Sequence, residues 1–221
     1  MYRHTDNLNT PIELAVGKVV CAGRNYLDHI QEMKSDVPDE PLLFMKPASA
    51  LCSMHDPITI PADRGPCHNE LEVALLIGQR LCHSDQHSAL EAVHSVGLGL
   101  DLTLREVQAQ LKEKGHPWER AKAFDGSCPV SQFIPAVQFT DLDRLVFSLE
   151  VNGEMRQEGN SGMMMHTMGQ LLALISRHFT LEPGDIVMTG TPKGVGPLAQ
   201  DDTIRARLQS SLDITTSVVA V

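Results

Sequence analysis

The sequence lacks the features of disulfide-rich, zinc-binding and membrane-spanning proteins. Its five cysteines contain no CxxC pair and are odd in number, which disfavours a zinc cluster or a disulfide framework and favours a reducing compartment. No apolar run approaches the roughly 20 residues of a membrane-spanning helix, and the first residues show no basic-then-apolar signal segment. We therefore expect a cytoplasmic protein with no membrane partner.

Positive charge is also scarce, since 18 Lys and Arg stand against 28 Asp and Glu, for a net charge of −10. Binding to nucleic-acid phosphates needs clustered Lys and Arg, so we expect no nucleic-acid partner. A hydrophobic content of 42% and a charged content of 21% are those of an ordinary globular protein. No repeat or linker rich in Pro, Gly or Ser divides the chain. The 221 residues therefore predict an N-terminal arm, 1–17, and a single domain, 18–221.

Residues 68–78 begin with alternating polar residues and end in an apolar run closed by glycine, which predicts a strand that leads from a site into a core. Side chains two residues apart on a strand share one face, so Glu70 and Glu72 would stand side by side. Two neighbouring carboxylates repel each other unless a positive charge lies between them. The pair therefore indicates a hard divalent cation, with a solvated strand face as the alternative.

An acid and two polar residues farther along the chain extend this hypothesis. Asp101 interrupts an apolar run, where a buried charge is costly unless it is paired or metal-bound. It is thus a candidate third oxygen ligand, or else a helix N-cap. The helix expected next places Arg105 and Gln108 three residues apart on one face. An arginine there can hold a substrate carboxylate with two parallel hydrogen bonds, although a surface Arg–Gln pair is the plainer interpretation.

A second polar pair lies near the N-terminus. His29 and Glu32 are three residues apart on an expected short helix and would share a face. A carboxylate that orients an imidazole is a general-base arrangement, and an incidental surface ion pair is the alternative. Residues 34–41 are polar and punctuated by proline, which predicts a mobile loop. The helix is therefore a candidate lid.

Two lysines and a threonine complete the candidates. Lys122 lies between small and aromatic residues, where a partly buried lysine can steady a developing oxyanion; a snorkelling surface lysine is the alternative. Lys46 ends an apolar strand and points either inward at an anion or into solvent. Thr191 opens a glycine-rich segment, residues 191–196, that can offer N–H groups and a hydroxyl to a carboxylate.

Hydrophobic periodicity gives the remaining elements. We expect Asn25 to cap the helix at 24–33, and the run Met163-Met164-Met165 to belong to the core. Asn152-Gly153 predicts a tight hairpin turn. The expected helices cover residues 24–33, 83–95, 103–114 and 163–179, and the expected strands cover 18–23, 42–47, 56–61, 68–78, 96–102, 145–151, 154–157 and 186–190.

Together these motifs resemble the fumarylacetoacetate hydrolase family, over about residue 18 to residue 197. Each motif is weak alone, and their joint occurrence in this order is highly specific. The resemblance is greatest to the small single-domain members that act as acylpyruvases and oxaloacetate decarboxylases. The motifs are Gly23-Arg24-Asn25-Tyr26, His29 with Glu32, Phe44-Met45-Lys46-Pro47, Glu70-Leu71-Glu72, Asp101 with Arg105 and Gln108, Trp118 with Lys122, Val151-Asn152-Gly153-Glu154, and Thr189 to Gly196.

The resemblance implies a β-rich α+β fold, a mixed β-roll with flanking helices, in a protein that forms a homodimer. It implies Mg²⁺ or Mn²⁺ as the cofactor, and oxygen ligands suit either ion. The site residues that it implies are Glu70, Glu72 and Asp101 for the metal, His29, Glu32 and Lys122 for catalysis, and Arg24, Arg105, Gln108 and Thr191 for substrate binding.

From the residues and the resemblance we expect a metal-dependent hydrolase that cleaves the C–C bond of acylpyruvate-type 2,4-diketo acids. The same site would decarboxylate oxaloacetate, because both reactions leave pyruvate enolate. One alternative is an isomerase or tautomerase of 2-oxo (enol) dicarboxylates in aromatic catabolism. Another is a non-catalytic metal-binding module. In each catalytic case the partner is a small 2-oxo acid substrate.

Overall fold

The structure, a computed structural model, describes residues 2–33, 36–38 and 40–221. In these residues the chain forms mostly strands, with short helices between them. The strands are β1 Val19–Gly23, β2 Leu42–Lys46, β3 Leu51–Ser53, β4 Ile58–Ile60, β5 Cys67–Asn69, β6 Leu71–Ile77, β7 Val93–Leu100, β8 Thr103–Leu104, β9 Cys128–Val130, β10 Ile134–Pro135, β11 Val146–Val151, β12 Glu154–Asn160, β13 Ile186–Met188, β14 Gly196–Pro197, β15 Thr203–Leu208 and β16 Leu212–Ala220. The α-helices are α1 Leu27–Glu32, α2 Gln86–Glu91, α3 Arg105–Glu113, α4 Glu119–Lys122 and α5 Met168–His178.

The strands form mixed sheets. An 8-stranded sheet has the order β2-β1-β13-β6-β7-β9-β3, with β10 beside β7. A 5-stranded sheet has the order β12-β11-β15-β16-β4, and a 3-stranded sheet has the order β14-β5-β8. Parallel pairs such as β1–β13 and β3–β9 occur among antiparallel ones. The predicted β-rich α+β fold class, a curled mixed sheet with flanking helices, is confirmed.

Strand β6 explains why the sequence carries an unbroken apolar run. Its residues are all buried, and successive side chains enter different core clusters. Val73 and Leu75 belong to the larger cluster, whereas Ala74 and Leu76 belong to the smaller one. A strand that is covered on both faces needs apolar residues at every position rather than at every second one.

The glycines of β7 lie where other groups approach closely. A Cβ on Gly97 would lie 2.9 Å from the carbonyl oxygen of Gln132. A Cβ on Gly99 would lie 2.6 Å from Sδ of Met188, on strand β13. Side chains at these two positions would therefore disturb the packing of β7, the strand that leads to Asp101.

The helix predicted over residues 83–95 is wrong in its extent. Helix α2 covers only Gln86–Glu91, and β7 begins at Val93. The carboxylate of Asp85 accepts hydrogen bonds from the backbone N–H groups of His87 and Ser88, which fixes the helix start. The C-terminal part is a strand because Val93 and the residues after it pair with β6.

Two predictions about local roles are also wrong. Asn25 does not cap α1; its side chain donates to the carbonyl oxygens of Thr189 and His166, and α1 begins after Tyr26 without a side-chain cap. The methionine run lies before α5, which begins at Met168 after a capping box. Met163 is 66% exposed, so only Met164 of the run is buried. Sequence periodicity alone did not distinguish this loop from the helix that follows it.

Other predicted elements are confirmed. Strands β1 and β2 lie where expected, and Asn152 and Gly153 have φ of 54° and 79° in the turn between β11 and β12. The expected N-terminal arm contributes two isolated bridges, Thr5 with Pro11 and Asp6 with Phe133. Of the predicted loop 34–41, residues 34, 35 and 39 lie outside the described residues. In the described part of the chain, no helix is long and apolar enough to cross a membrane.

Candidate active site

Three carboxylates meet where β6 and β7 run side by side. The expected continuous strand is interrupted at Glu70, because β5 joins the 3-stranded sheet and β6 joins the 8-stranded one. Glu72 lies on β6 opposite Gly99, and Asp101 follows the end of β7. The backbone N–H of Asp101 donates to the carbonyl oxygen of Glu70 at 2.8 Å. This pairing brings a candidate ligand oxygen from each residue within 4.8 Å of the others.

We call Glu70, Glu72 and Asp101 the carboxylate triad. All three are buried, with 5%, 2% and 1% of their surface exposed. Burying ionised carboxylates is costly unless cations accompany them, and lysines and an arginine do so here. Lys122 Nζ lies 2.9 Å from Oε2 of Glu70 and 2.6 Å from Oδ2 of Asp101.

Two further cations complete this network. Lys46 is fully buried, with its Nζ 2.8 Å from Oδ1 of Asp101. Arg105 Nη2 lies 2.5 Å from Oε1 of Glu70. Burial alone would raise the pKa of Glu70, but Lys122 and then Arg105 hold it below its usual range. Burial alone would lower the pKa of Lys122, but Asp101 and Glu70 raise it, so the ammonium stays charged.

Glu72 differs from its neighbours because, among the described residues, no Lys or Arg forms an ion pair with it. Its carboxyl accepts a hydrogen bond from the backbone N–H of Gly190 at 2.7 Å. Burial raises the pKa of Glu72 well above its usual range, and Asp101 and Glu70 raise it further. Within the described part of the chain, Glu72 is therefore the triad member without an ion-pair partner.

The residues of the triad fit a divalent cation. The donor set consists of carboxylate oxygens, which Mg²⁺ and Mn²⁺ prefer. Asp101 Oδ1 is buried and accepts no hydrogen bond from the described residues, although Lys46 Nζ forms an ion pair with it at 2.8 Å. An oxygen with a free lone pair and a carboxyl without a counter-ion are what a bound cation would satisfy.

The predicted dyad, His29 and Glu32, lies on α1. His29 Nδ1 is 3.3 Å from Oε2 of Glu32. His29 lines the same cavity as the triad, whereas Glu32 is not among its described lining residues. The imidazole is thus the group of the pair that faces the cavity. The Glu32 carboxylate contacts the imidazole at Nδ1, so Nε2 remains available to a bound molecule.

A glycine-rich segment holds Glu32 in place. The backbone N–H of Gly194 donates to Oε1 of Glu32 at 3.0 Å and to Oε2 at 3.2 Å. Gly194 has φ of +96°, and a Cβ there would lie 1.7 Å from the carbonyl oxygen of Arg156, so the position requires glycine. Lys193 Nζ also lies 3.3 Å from Oδ2 of Asp28 on α1. The segment was expected to bind a carboxylate, and here it binds one from the chain itself.

The four residues predicted to bind substrate all line the cavity. Arg105 Nη1 donates to Oε1 of Gln108 at 2.9 Å, and Arg105 Nε is buried without a partner. Thr191 donates its hydroxyl proton to the carbonyl oxygen of Leu71 at 2.8 Å and accepts from Gln157 at 2.8 Å. Its hydroxyl therefore has only a lone pair left for a substrate. Arg24 Nη1 donates to the carbonyl oxygen of Asp36 at 3.2 Å.

Apolar side chains form the rest of the cavity wall. Phe44 and Trp118 contact each other with ring centroids 5.9 Å apart. The ammonium of Lys122 lies 5.1 Å from the Phe44 ring centroid, within the range of a cation–π contact. Ile30 and Leu42 also line the cavity. These groups keep water away from the lysine and strengthen its electrostatic effect on a bound molecule.

The structure adds residues that the sequence did not assign. Lys46 was left open between an anion contact and solvent, and it pairs with Asp101. Lys112 lines the cavity and was not predicted at all. Its spacing in the sequence could have identified it, since it lies four residues after Gln108 and seven after Arg105 on one helix. The N–H groups of the segment that contains Gly194 were expected to bind a carboxylate, but Glu32 as the partner had no signal, because this contact depends on the tertiary position of α1.

Comparison with known proteins agrees with this geometry. The profile of the family described as fumarylacetoacetate (FAA) hydrolase C-terminal matches residues 18–219. The chain is 49% identical over 205 residues to oxaloacetate tautomerase YcgM of Escherichia coli, covering 92% of this chain and 94% of that protein. It is 38% identical over 189 residues to a mitochondrial oxaloacetate decarboxylase of Dictyostelium discoideum, covering 85% and 87%.

A solved structure is similar over nearly the whole chain. It is fumarylpyruvate hydrolase from Pseudomonas aeruginosa in complex with Mn²⁺ and pyruvate, with a TM-score of 0.93 and 33% sequence identity. The match covers 100% of this chain and 96% of that one. Proteins similar to this chain therefore differ in the reaction that their names state.

Proposed function

Because the chain belongs to the fumarylacetoacetate hydrolase family, we propose that it is a divalent-metal-dependent enzyme for small 2-oxo acids, and that it interconverts the keto and enol forms of oxaloacetate. The observation that carries this proposal is the position of Lys122. Its ammonium lies between Glu70 and Asp101 at 2.9 and 2.6 Å, and His29 lines the same cavity. A base and a buried cation beside one carbonyl are what proton transfer next to that carbonyl requires.

Each group has a role in this reaction. A cation held by the carboxylate triad would supply Lewis-acid stabilisation of the negative charge that develops on the 2-oxo group. Arg105 and Gln108 bind the 1-carboxylate through their remaining hydrogen-bonding groups. His29 Nε2 takes a proton from C3, while Glu32 holds Nδ1 and stabilises the imidazolium. Lys122 donates a hydrogen bond to the enolate oxygen. Transfer of the proton from His29 to this oxygen then gives the enol.

The similarity to oxaloacetate tautomerase over 92% of the chain supports this reaction. The same residues also support a second candidate, C–C hydrolysis of acylpyruvates. The similarity to a fumarylpyruvate hydrolase in complex with Mn²⁺ and pyruvate favours it. In that reaction His29 would activate a water towards the distal carbonyl, and pyruvate enolate would leave. Decarboxylation of oxaloacetate would leave the same enolate without a water.

A panel of substrates tests these candidates. Keto–enol exchange of oxaloacetate, followed by the ultraviolet absorbance of the enol, should accelerate only when Mg²⁺ or Mn²⁺ is present. Release of pyruvate from acylpyruvates and from oxaloacetate, measured in the same buffers, reports hydrolysis and decarboxylation. Pyruvate release without faster exchange would replace tautomerisation by one of these reactions. Absence of metal-dependent turnover with every substrate would contradict the enzyme proposal and favour a binding module.

We further propose that the protein is a homodimer, as the resemblance implies. The N-terminal arm offers a concave, partly apolar surface that suits a second copy, formed by Tyr2, Ile12, Leu14 and Val16 beside Leu51. Sedimentation velocity should give a species of twice the 24.2 kDa chain mass. A monomer at micromolar concentration would contradict this assembly.

A further inference from the structure

The mouth of the cavity carries two cations that the reaction above does not use. Arg24 and Lys112 both line it, and Lys112 is exposed. Within residues 2–33, 36–38 and 40–221, neither side chain forms an ion pair with a carboxylate. This distinguishes them from Lys46, Lys122 and Arg105, which all pair with the triad.

Helix α3 places Lys112 beside the residues that are proposed to bind substrate. Arg105, Gln108 and Lys112 recur at spacings of three and four, so they share one face of α3. All three line the same cavity. One molecule in this cavity can therefore contact both Lys112 and the residues at its inner end.

The charges around Lys112 indicate that this position suits an anion. Desolvation, and then the like charges of Arg24 and Arg105, lower the pKa of Lys112, and no described carboxylate forms an ion pair with it. The whole chain nevertheless carries a net charge of −10. A cluster of cations at the mouth of a cavity in an acidic protein favours entry and binding of anions.

Building on the proposed function, we propose that Lys112, with Arg24, binds the second carboxylate of a dicarboxylic 2-oxo acid. Lys112 is then a specificity-determining residue. The inner end holds the carboxylate and 2-oxo group that every candidate substrate has. The mouth holds the second carboxylate, which acylpyruvates with a neutral tail lack, and so it selects dicarboxylates over them.

A comparison of two ligands tests this subsite. Pyruvate has the inner groups of oxaloacetate without the second carboxylate. Trp118 is the only tryptophan in the chain and lines the same cavity, so its fluorescence can report binding. Stopped-flow titration of the Mg²⁺-loaded protein measures both affinities before oxaloacetate decays, and the ligand-induced rise in melting temperature gives a second readout.

Three variants make this comparison specific. Lys112→Met should reduce the preference for oxaloacetate over pyruvate about tenfold, the effect of losing one hydrogen bond to a charged group, with pyruvate affinity unchanged. Lys112→Arg should keep most of the preference. Lys114→Met is the matched control, because Lys114 is an exposed lysine at the end of the same helix and does not line the cavity. It should leave the preference unchanged.

The possible outcomes distinguish a failure of the proposed subsite from a failure of the proposed activity. An unchanged preference in Lys112→Met would overturn the subsite, and so would an equal loss in Lys114→Met, which would indicate only a general effect of charge. A wild-type protein that binds both ligands equally would overturn it as well. If the preference falls only in Lys112→Met but no metal-dependent exchange occurs, the subsite stands and the proposed tautomerase activity fails.

Discussion

The carboxylate end of the cavity and the dyad end are held by different kinds of structure. Glu70 immediately precedes β6, Glu72 belongs to β6 and Asp101 follows β7, which are both strands of the main sheet, and all three residues are at most 5% exposed. Glu32 lies on the six-residue helix α1, where its side chain is 35% exposed. A backbone hydrogen bond from Gly194 and the ion pair between Lys193 and Asp28 hold this helix to a neighbouring loop.

This difference indicates a division of labour. The carboxylate end is built on sheet strands and held by buried ion pairs of Glu70 and Asp101, which suits a site that has to keep its geometry around a metal. The dyad end rests on few contacts, so its opening requires less free energy than opening the sheet. Substrate entry and proton transfer would thus depend on α1, and cation binding would not. The predictions below test that separation.

The largest effect is expected from Asp101→Asn. It changes a proposed metal ligand and leaves Lys46 and Lys122 short of one negative charge in a buried network. Metal-dependent turnover should fall to the metal-free background, and the free energy of unfolding should fall by about 3–5 kcal/mol. Urea denaturation with a chelator present measures the second effect. Wild-type stability in this variant would contradict the proposed charge balance.

Glu72→Gln should lose as much activity without the loss of stability. Glu72 forms no ion pair with any described residue, and an amide oxygen can still accept the hydrogen bond from Gly190. Calorimetry should detect no Mg²⁺ or Mn²⁺ binding at the wild-type site, while urea denaturation gives a free energy of unfolding within about 1 kcal/mol of wild type.

Replacing both Glu70 and Glu72 by glutamine should also abolish metal-dependent activity. Full activity in that double variant would contradict the proposal that the triad binds the metal.

The smallest effect is expected from Lys193→Met, which breaks the exposed ion pair with Asp28. Such pairs contribute little, so KM should rise at most about fivefold, with metal affinity unchanged. Asp28→Asn should give the same result, and the two changes together should add nothing further. A loss of a hundredfold or more would mean that this pair, rather than Gly194, positions α1.

Sequence patterns predicted the gathering of the triad but not the way in which the chain achieves it. Spacing two apart placed Glu70 and Glu72 together, and an acid in an apolar run marked Asp101. The change of sheet at Glu70 depends on which strands β5 and β6 find as partners, which local pattern does not encode. For the same reason Asn25 was misassigned as a cap, since its partners Thr189 and His166 are distant in sequence.

The central claim is that the dyad transfers protons while the triad binds the metal, and Glu32→Gln tests it most directly. Calorimetric titration with Mg²⁺ should give wild-type affinity, since Glu32 is not one of the triad residues. Metal-dependent turnover of oxaloacetate and acylpyruvates should fall about 10²–10⁴-fold in the same preparation. Turnover at the wild-type rate, or loss of Mg²⁺ binding, would contradict the claim.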